Sequence, residues 1–429
     1  MMSMKPSVPH VRRSAALNGS EARECLRAYP YGRSTDDQNA RCAKQINPTR
    51  RRPFGKKWRR RLHVRQRQHC DDRWRLQPQP HPFDRPPAIA FFFALKGGVT
   101  ISRRRSRSEK AIRMSITTRI HGPLISSSDL DAHAALAETF GMTPVARQCY
   151  ADADVKARWG IDCASAEEAA FMTPGTKFGA TFVRFSPLSP TIIRTRDAGY
   201  HADAPKVVDF YVPDFAAARA SLEARGWPLK SEIAEYDLPE GRFIEGHLWG
   251  PDEIVFALIS GPKDFFANMA SVTNAMFSEP QSLSGPVSDR PPVIRFFEEV
   301  FELRVVYRYG IEDDSFKDLV GTQAKTFNLT AVNVGLSTRE PYFGLIHYGM
   351  PKGSYQSLYD VCRPPNRGIL GATIEAADTD EIARRALAIS EHAVLAAPID
   401  ADLAGFGRVR TALIKAPNGG CYRVIQRLA

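Results

Sequence analysis

Apolar and polar positions along Lys206–Ser260 predict strand, helix, strand, strand, strand. Val208, Phe210 and Val212 interleave with Val207, Asp209 and Tyr211, so the first strand presents one apolar row and one mixed row. Asp214 stands where an N-cap belongs, Phe215, Ala218 and Leu222 follow at helical spacing, and Gly226 ends the helix. Phe243–Trp249 and Ile254–Ile259 read as two more strands, joined by the turn Gly250–Glu253. A βαβββ unit of this kind covers one sheet face with its helix and leaves the other open, so it needs partners to be stable.

The same pattern recurs three more times. Near the C-terminus GILGATIEAADTDEIARRALAISEH supplies a strand and a helix capped at Asp380, and APNGGCYRVIQ supplies the last turn and strand. Asp214 to Pro251 and Asp380 to Pro417 are both 37 residues apart. The other two units start at Asp129, in PLISSSDLDAHAALAETFG, and at Asp289, where Pro291 and Pro292 open a helix with Val293, Phe297 and Val300 on one face. Asp129 to Asp289 spans 160 residues and Asp214 to Asp380 spans 166, which suggests that module one pairs with module two and module three with module four.

With these four units in view, Met114–Ala429 resembles the vicinal oxygen chelate superfamily, which includes glyoxalase I, bleomycin-resistance proteins and type I extradiol dioxygenases. The motifs that carry the resemblance are strand, Asp, helix, and a PDG-like turn into the last strand, here PDE at Pro251 and PNG at Pro417. It implies an α+β fold of paired βαβββ modules closing into two cup-shaped mixed sheets. The expected domains are a disordered basic segment over 1–113, a first cup over 114–262 and a second over 263–429.

Charge separates the leading segment from the rest. Residues 1–113 hold 28 Lys and Arg against 8 Asp and Glu, whereas the remainder holds 31 against 39, so the formal net charge of +12 belongs to the leading segment. Its Arg- and Pro-rich composition has no sustained apolar period and predicts disorder. A nucleic-acid arm, a targeting segment and sequence translated upstream of the true start compete for it. The last is preferred, because Met114 opens MSITTRIHG directly before the first strand. The apolar run Ala88–Leu95 is too short to span a bilayer, and seven scattered cysteines without a CxxC pair suggest a reducing, cytoplasmic location. The expected partner is a small-molecule ligand, with a homodimer left open and neither membrane nor nucleic acid expected.

In the superfamily, activity usually rests on a divalent metal whose first ligand lies seven residues before the helix-capping position. That count gives Gly122, Val207, Ser282 and Thr373, and the late-strand glutamate aligns with Ala257 and Arg423 in modules two and four, near Thr181 and Gly344 in the others. The usual ligands are missing in both cups. The cofactor is therefore undetermined, and His121, one residue out of register unless SSSD forms a bulge, joins Glu245 and His247 as the metal candidates.

Several polar groups face the open side of the sheets. Asp209 is a carboxylate in an apolar strand, costly unless paired or placed in a cavity. Glu245 and His247 stand two apart on one strand and so share a face, as a proton-transfer pair would need; the same spacing also occurs on solvated strands. Asp209, Glu245 and His247 are the candidate acid–base groups, Ser282 and Ser284 line module three, and Tyr211, Tyr236, Trp249, Glu375 and His347 are the candidate substrate contacts. No phosphate-binding glycine loop or GxSxG elbow occurs. The functions that follow are lyase, isomerase or dioxygenase-like chemistry on a small organic, aromatic compound, or simple sequestration of such a compound in the manner of bleomycin-resistance proteins. The resemblance to four-module dioxygenases implies two His and one Glu in the second cup; Ser282, Thr373 and Arg423 take those places here, which argues against iron-dependent ring cleavage. Deleting residues 1–113 is expected to leave folding unchanged; a circular-dichroism melt of residues 114–429 that lost its cooperative transition would contradict this.

Overall fold

The computed structural model describes residues 115–429 apart from 273–275, 326 and 352. The readings made for residues 1–113 lie outside the described residues. Module one comprises β1 (Thr117–Ser126), α1 (Leu130–Thr139), β2 (Thr143–Ala151), α2 (Asp152–Trp159), β3 (Ser165–Met172) and β4 (Gly179–Ser186). Module two comprises β5 (Val207–Tyr211), α3 (Phe215–Ala224), β6 (Ala234–Leu238), β7 (Gly241–Trp249) and β8 (Val255–Ser260), followed by a single turn, α4 (Lys263–Phe266). Module three comprises β9 (Pro280–Pro286), α5 (Arg290–Phe301), β10 (Arg304–Ile311), α6 (Asp314–Val320), β11 (Leu329–Gly335) and β12 (Tyr342–His347). Module four comprises β13 (Gly368–Ala376), α7 (Thr379–Ile389), β14 (Val394–Leu403), β15 (Gly407–Lys415) and β16 (Cys421–Arg427). The α+β class and the four βαβββ modules are as expected. The short helices α2 and α6 in the odd modules were not, because their apolar residues are too few to show a period.

The caps explain where the main helices begin. Asp129 accepts from the N–H groups of Asp131 and Ala132, and Asp214 from that of Ala217. Module four departs from the expectation: its cap is Asp378, which accepts from Glu381 N–H, while Asp380 sits inside the first turn and binds Arg410. The position seven residues before the cap is therefore Gly371, not Thr373.

The described residues form two eight-stranded sheets, ordered β14-β15-β16-β13-β1-β4-β3-β2 and β10-β11-β12-β9-β5-β8-β7-β6. Module one thus pairs with module four, and module two with module three. This corrects the pairing inferred from spacing, and the two cups are not the contiguous stretches 114–262 and 263–429. Each sheet is sealed by two first strands running antiparallel, β1 on β13 and β5 on β9. The physical reason lies in buried polar side chains that join the paired modules. Arg423 on β16 places Nη1 2.9 and 3.0 Å from the carboxylate oxygens of Glu168 on β3 and Nη2 3.3 Å from Thr373 Oγ1. In the other sheet Asp209 on β5 accepts from Ser282 and Ser284 on β9.

The helix-covered faces share one apolar cluster that draws on α1, α3, α5, α7 and both sheets. Phe140, at the end of α1, stacks on Phe210 of β5 with centroids 4.0 Å apart, and Phe297 of α5 lies 5.4 Å from Tyr422 of β16. Helices α1 and α5 thus also pack on strands of the other cup. The PDE turn ties modules together as well: Asp252 accepts from Ser128 N–H and from Arg367 Nη1. No helix of the described residues is long and apolar enough to cross a membrane. Replacing Arg423 by Ala strands a buried carboxylate at Glu168, and chemical denaturation is expected to show a loss of about 3–5 kcal/mol. Glu168→Leu combined with Arg423→Met should restore most of it, and a single variant as stable as the parent would contradict the assignment.

Candidate functional site

The inner face of the cup built from modules two and three collects the acid–base candidates. On β5 the apolar row Val208, Phe210 and Val212 enters the helical layer, which turns Val207, Asp209 and Tyr211 inward. Asp209 is 5% exposed; Ser284 Oγ donates to its Oδ2 at 2.7 Å and Ser282 Oγ donates to the same oxygen. Desolvation, with the nearby Glu245 charge adding to it, pushes its pKa up to about 7 against the pull of the two serines and Lys206. On β7, Glu245 and His247 share the inner face, with Glu245 Oε1 3.0 Å from His247 Nε2. Tyr236 OH donates to Glu245 Oε2 at 2.9 Å. Burial holds the Tyr236 and Tyr309 hydroxyls well above their ordinary pKa, so both remain protonated.

Lys206 immediately precedes β5 and is partly exposed at the mouth of this cup. Desolvation of its ammonium, then the neighbouring Arg194 charge, lowers its pKa to about 7, while Glu245 and Asp209 oppose the shift. The mouth opens into a pocket of about 500 Å³ bounded by Lys206, His247 and Trp249, by residues 194–200, and by the end of α6. The Arg196 guanidinium lies 5.5 Å above the Trp249 ring.

The structure therefore brings Asp209, Glu245, His247, Tyr236 and Trp249 to one cup. Tyr211 faces the same way, but its ring is taken up by Phe266, stacked at 3.6 Å. His347 lies on the opposite face of β12, with Phe343 and Leu345 and beside Tyr355 and Arg290; burial and the Arg290 charge lower its pKa. His121 and Glu375 belong to the other cup. Lys206, the segment 194–200 and α6 were missed: a lysine flanking an apolar strand carries the same sequence signal as any solvated strand end.

In the cup of modules one and four, a register shift of β1 between Ile120 and Gly122 turns His121 inward, so the bulge falls within the strand and not at SSSD. His121 Nε2 lies 2.8 Å from Glu375 Oε2, and its Nδ1 is 3.2 Å from the Lys177 carbonyl. The His121 hydrogen bond holds Glu375 down to about 2, with Arg427 and Arg119 adding to the effect. Below them Trp159, Tyr150 and the Arg423–Glu168 pair fill the cup, and the space beside His121 and Phe406 is only about 10 Å³, roughly one water.

Neither cup fits the metal that the fold family implies. At the first-ligand positions of this second cup, a Cβ on Gly122 would lie 1.9 Å from the Gly179 carbonyl oxygen and one on Gly371 2.2 Å from that of Cys421, so no side chain can stand there. Val207 and Ser282 hold those positions in the other cup. Among the described residues no group of three or more His, Cys, Asp or Glu side chains is placed to hold a metal ion. His121 is also in a different sheet from Glu245 and His247, so the three candidates do not form one set.

Two curled sheets, each made of two βαβββ modules joined through their first strands, define the fold of the vicinal oxygen chelate superfamily, and this chain carries two such cups. Similar solved structures include glyoxalase I from Zea mays, 14% identical over 72% of this chain and 92% of that one, with a TM-score of 0.48. A glyoxalase family protein from Bacillus cereus is 22% identical over 35% and 98%, with a TM-score of 0.30. The genomically encoded fosfomycin resistance protein of Listeria monocytogenes is 12% identical over 33% and 92%, with a TM-score of 0.22. No family model and no curated protein matches the sequence.

Asp209 makes a prediction about pH. The folded chain keeps its proton up to about pH 7, whereas the unfolded chain releases it near 4. Between these values the unfolded state binds fewer protons, so this group lowers stability as pH rises. Asp209→Asn should therefore gain stability relative to the parent from pH 4 to 7, by about 1 kcal/mol per pH unit. Parallel stability–pH curves for the two proteins would contradict the shifted carboxyl.

Proposed function

We propose that the cup of modules two and three binds a small organic molecule and moves a proton on it, in lyase or isomerase chemistry. The observation that carries this reading is His247, which lines an opening of about 500 Å³, with Glu245 3.0 Å behind it and Asp209 buried on the same inner face. When Nε2–H of His247 is donated to Glu245, the imidazole lone pair falls on Nδ1, which can take a proton from a carbon acid. Glu245 orients the ring and stabilises the imidazolium that results. Asp209, poised near neutrality, can hold a proton for a developing oxyanion, so base and acid are separate groups with different environments. Trp249 offers an aromatic face at the mouth and suits a ligand with an aromatic ring. The residues of this cup do not fit a metal.

A second reading, a protein that only sequesters an aromatic compound, rests on the same opening with Arg196 above Trp249. Proton exchange separates the two. With 2-hydroxyacetophenone in D₂O, wash-out of the C–H signal followed by NMR is expected to slow by at least about 100-fold in Glu245→Ala and in His247→Ala. Binding of the ketone should stay within about threefold of the parent, since these groups act on the proton and not on the ring. Equal loss of exchange and binding would favour sequestration, and no exchange by the parent protein would sink the proton-transfer reading for this carbonyl class.

A further inference from the structure

We propose that Lys206 is a nucleophile that forms an imine with the carbonyl carbon of an aromatic aldehyde or ketone bound at this mouth. The inference rests on the reading of the same cup as a ligand site and adds a covalent step to it.

The position of the lysine is pinned by the backbone. Its N–H donates to the Ser284 carbonyl at 2.8 Å, which fixes the start of β5 against β9 at the seam. Among the described residues, no hydrogen bond or ion pair reaches Nζ. Three other lysines are held: Lys415 donates to the carbonyls of Tyr359 and Gly419 at 2.7 and 2.6 Å, and Lys156 and Lys317 pair with Asp162 and Asp314 at 2.9 and 2.5 Å. Lys206 Nζ instead lies 5.8 Å from the centroid of the buried Tyr348 ring and borders the pocket with His247 and Trp249. The groups acting on it from neighbouring elements are Arg194 from the preceding loop, Glu245 from β7 and Asp209 from β5. A desolvated ammonium next to another cation gives up its proton easily, and a pKa lowered to about 7 leaves a large share of neutral amine at neutral pH.

The chemistry balances without an external oxidant or reductant. The nitrogen lone pair forms the C–N bond while the carbonyl π pair moves to oxygen, which takes a proton. The resulting carbinolamine expels that oxygen as water, and the two hydrogens of the water balance the two lost by the amine. Water in the open pocket can supply the first proton, and Asp209, whose charge acts on Lys206, stays protonated up to about pH 7. Once protonated on nitrogen, the imine is a stronger electron sink than the parent carbonyl, so for a ketone with an α C–H it would ease removal of that proton by His247. The rim carries Arg196 and Lys230 but also Asp197, Glu232 and Asp318, so an uncharged aromatic carbonyl suits it better than a strongly charged one.

Reductive trapping tests this on the full chain. Incubation with benzaldehyde and sodium cyanoborohydride at pH 7, followed by peptide mapping, is expected to place a benzyl group on Lys206 at least about tenfold faster than on the exposed Lys230, as an activated amine requires. Lys206→Arg should lose that adduct while retaining the others. Benzyl alcohol, which cannot form an imine, reports binding separately through saturation-transfer NMR. If benzyl alcohol binds but Lys206 is labelled no faster than Lys230, the imine is overturned and the ligand site stands. If neither benzyl alcohol nor benzaldehyde engages the pocket, both readings fall.

Discussion

Glu168 and Asp209 are two carboxylates that the fold buries, and each is satisfied only by a module distant in sequence. Had module one paired with module two, the residue in the place of Arg423 would be Ala257, since Thr373 registers with Arg423 as Asp209 does with Ala257. Glu168 would then be a buried charge with no cation, at a cost of about 3–5 kcal/mol. Asp209 would lose its serines too. It now registers with Ser282 and Leu124 registers with Gly371, so in the alternative pairing Asp209 would face Gly122. Both seams could form hydrogen-bonded ladders in either arrangement, and the buried polar side chains favour only one.

The helical layer sits on top of this choice. Its apolar residues come from all four modules, so neither cup has a private core on its covered face. Disturbing α1 or α5 loses contacts with both sheets, which links the stability of one cup to that of the other. The exposed edge that each first strand would otherwise present is removed by the seam, a liability that any lone βαβββ unit would carry.

The two cups share a backbone plan and differ in what fills them. In the cup of modules one and four, Trp159, Tyr150 and the Arg423–Glu168 pair occupy the interior, and the glycines at the seam let strands approach too closely for a side chain. In the cup of modules two and three, valine and serine stand at those positions and an opening remains beside His247 and Lys206. One cup is spent on packing and the other is left with shifted acid–base groups. Desolvation raises Asp209 and lowers Lys206 toward the same pH, which is the condition in which a single site can offer both an acid and a base.

Much of this was legible in the sequence because it depends on neighbours along the chain. Period-two alternation assigned Asp209 and Tyr211 to one face of β5 and Glu245 and His247 to one face of β7, and the structure keeps both assignments. Asp129 and Asp214 announced helix starts by local hydrogen bonding, whereas Asp378 and Asp380, two residues apart, both satisfy the capping pattern and only the completed turn selects the first. Module pairing, the inward turn of His121, the outward face of His347 and the exposure of Lys206 to a pocket were decided by tertiary structure. Each depends on contacts between residues far apart in sequence: a β1 register shift set against β13, an α5 helix beside β12, and a loop that meets the end of α6. Alternation along one strand can rank the two faces of that strand, but it holds no information about which other strand, helix or loop will cover either face.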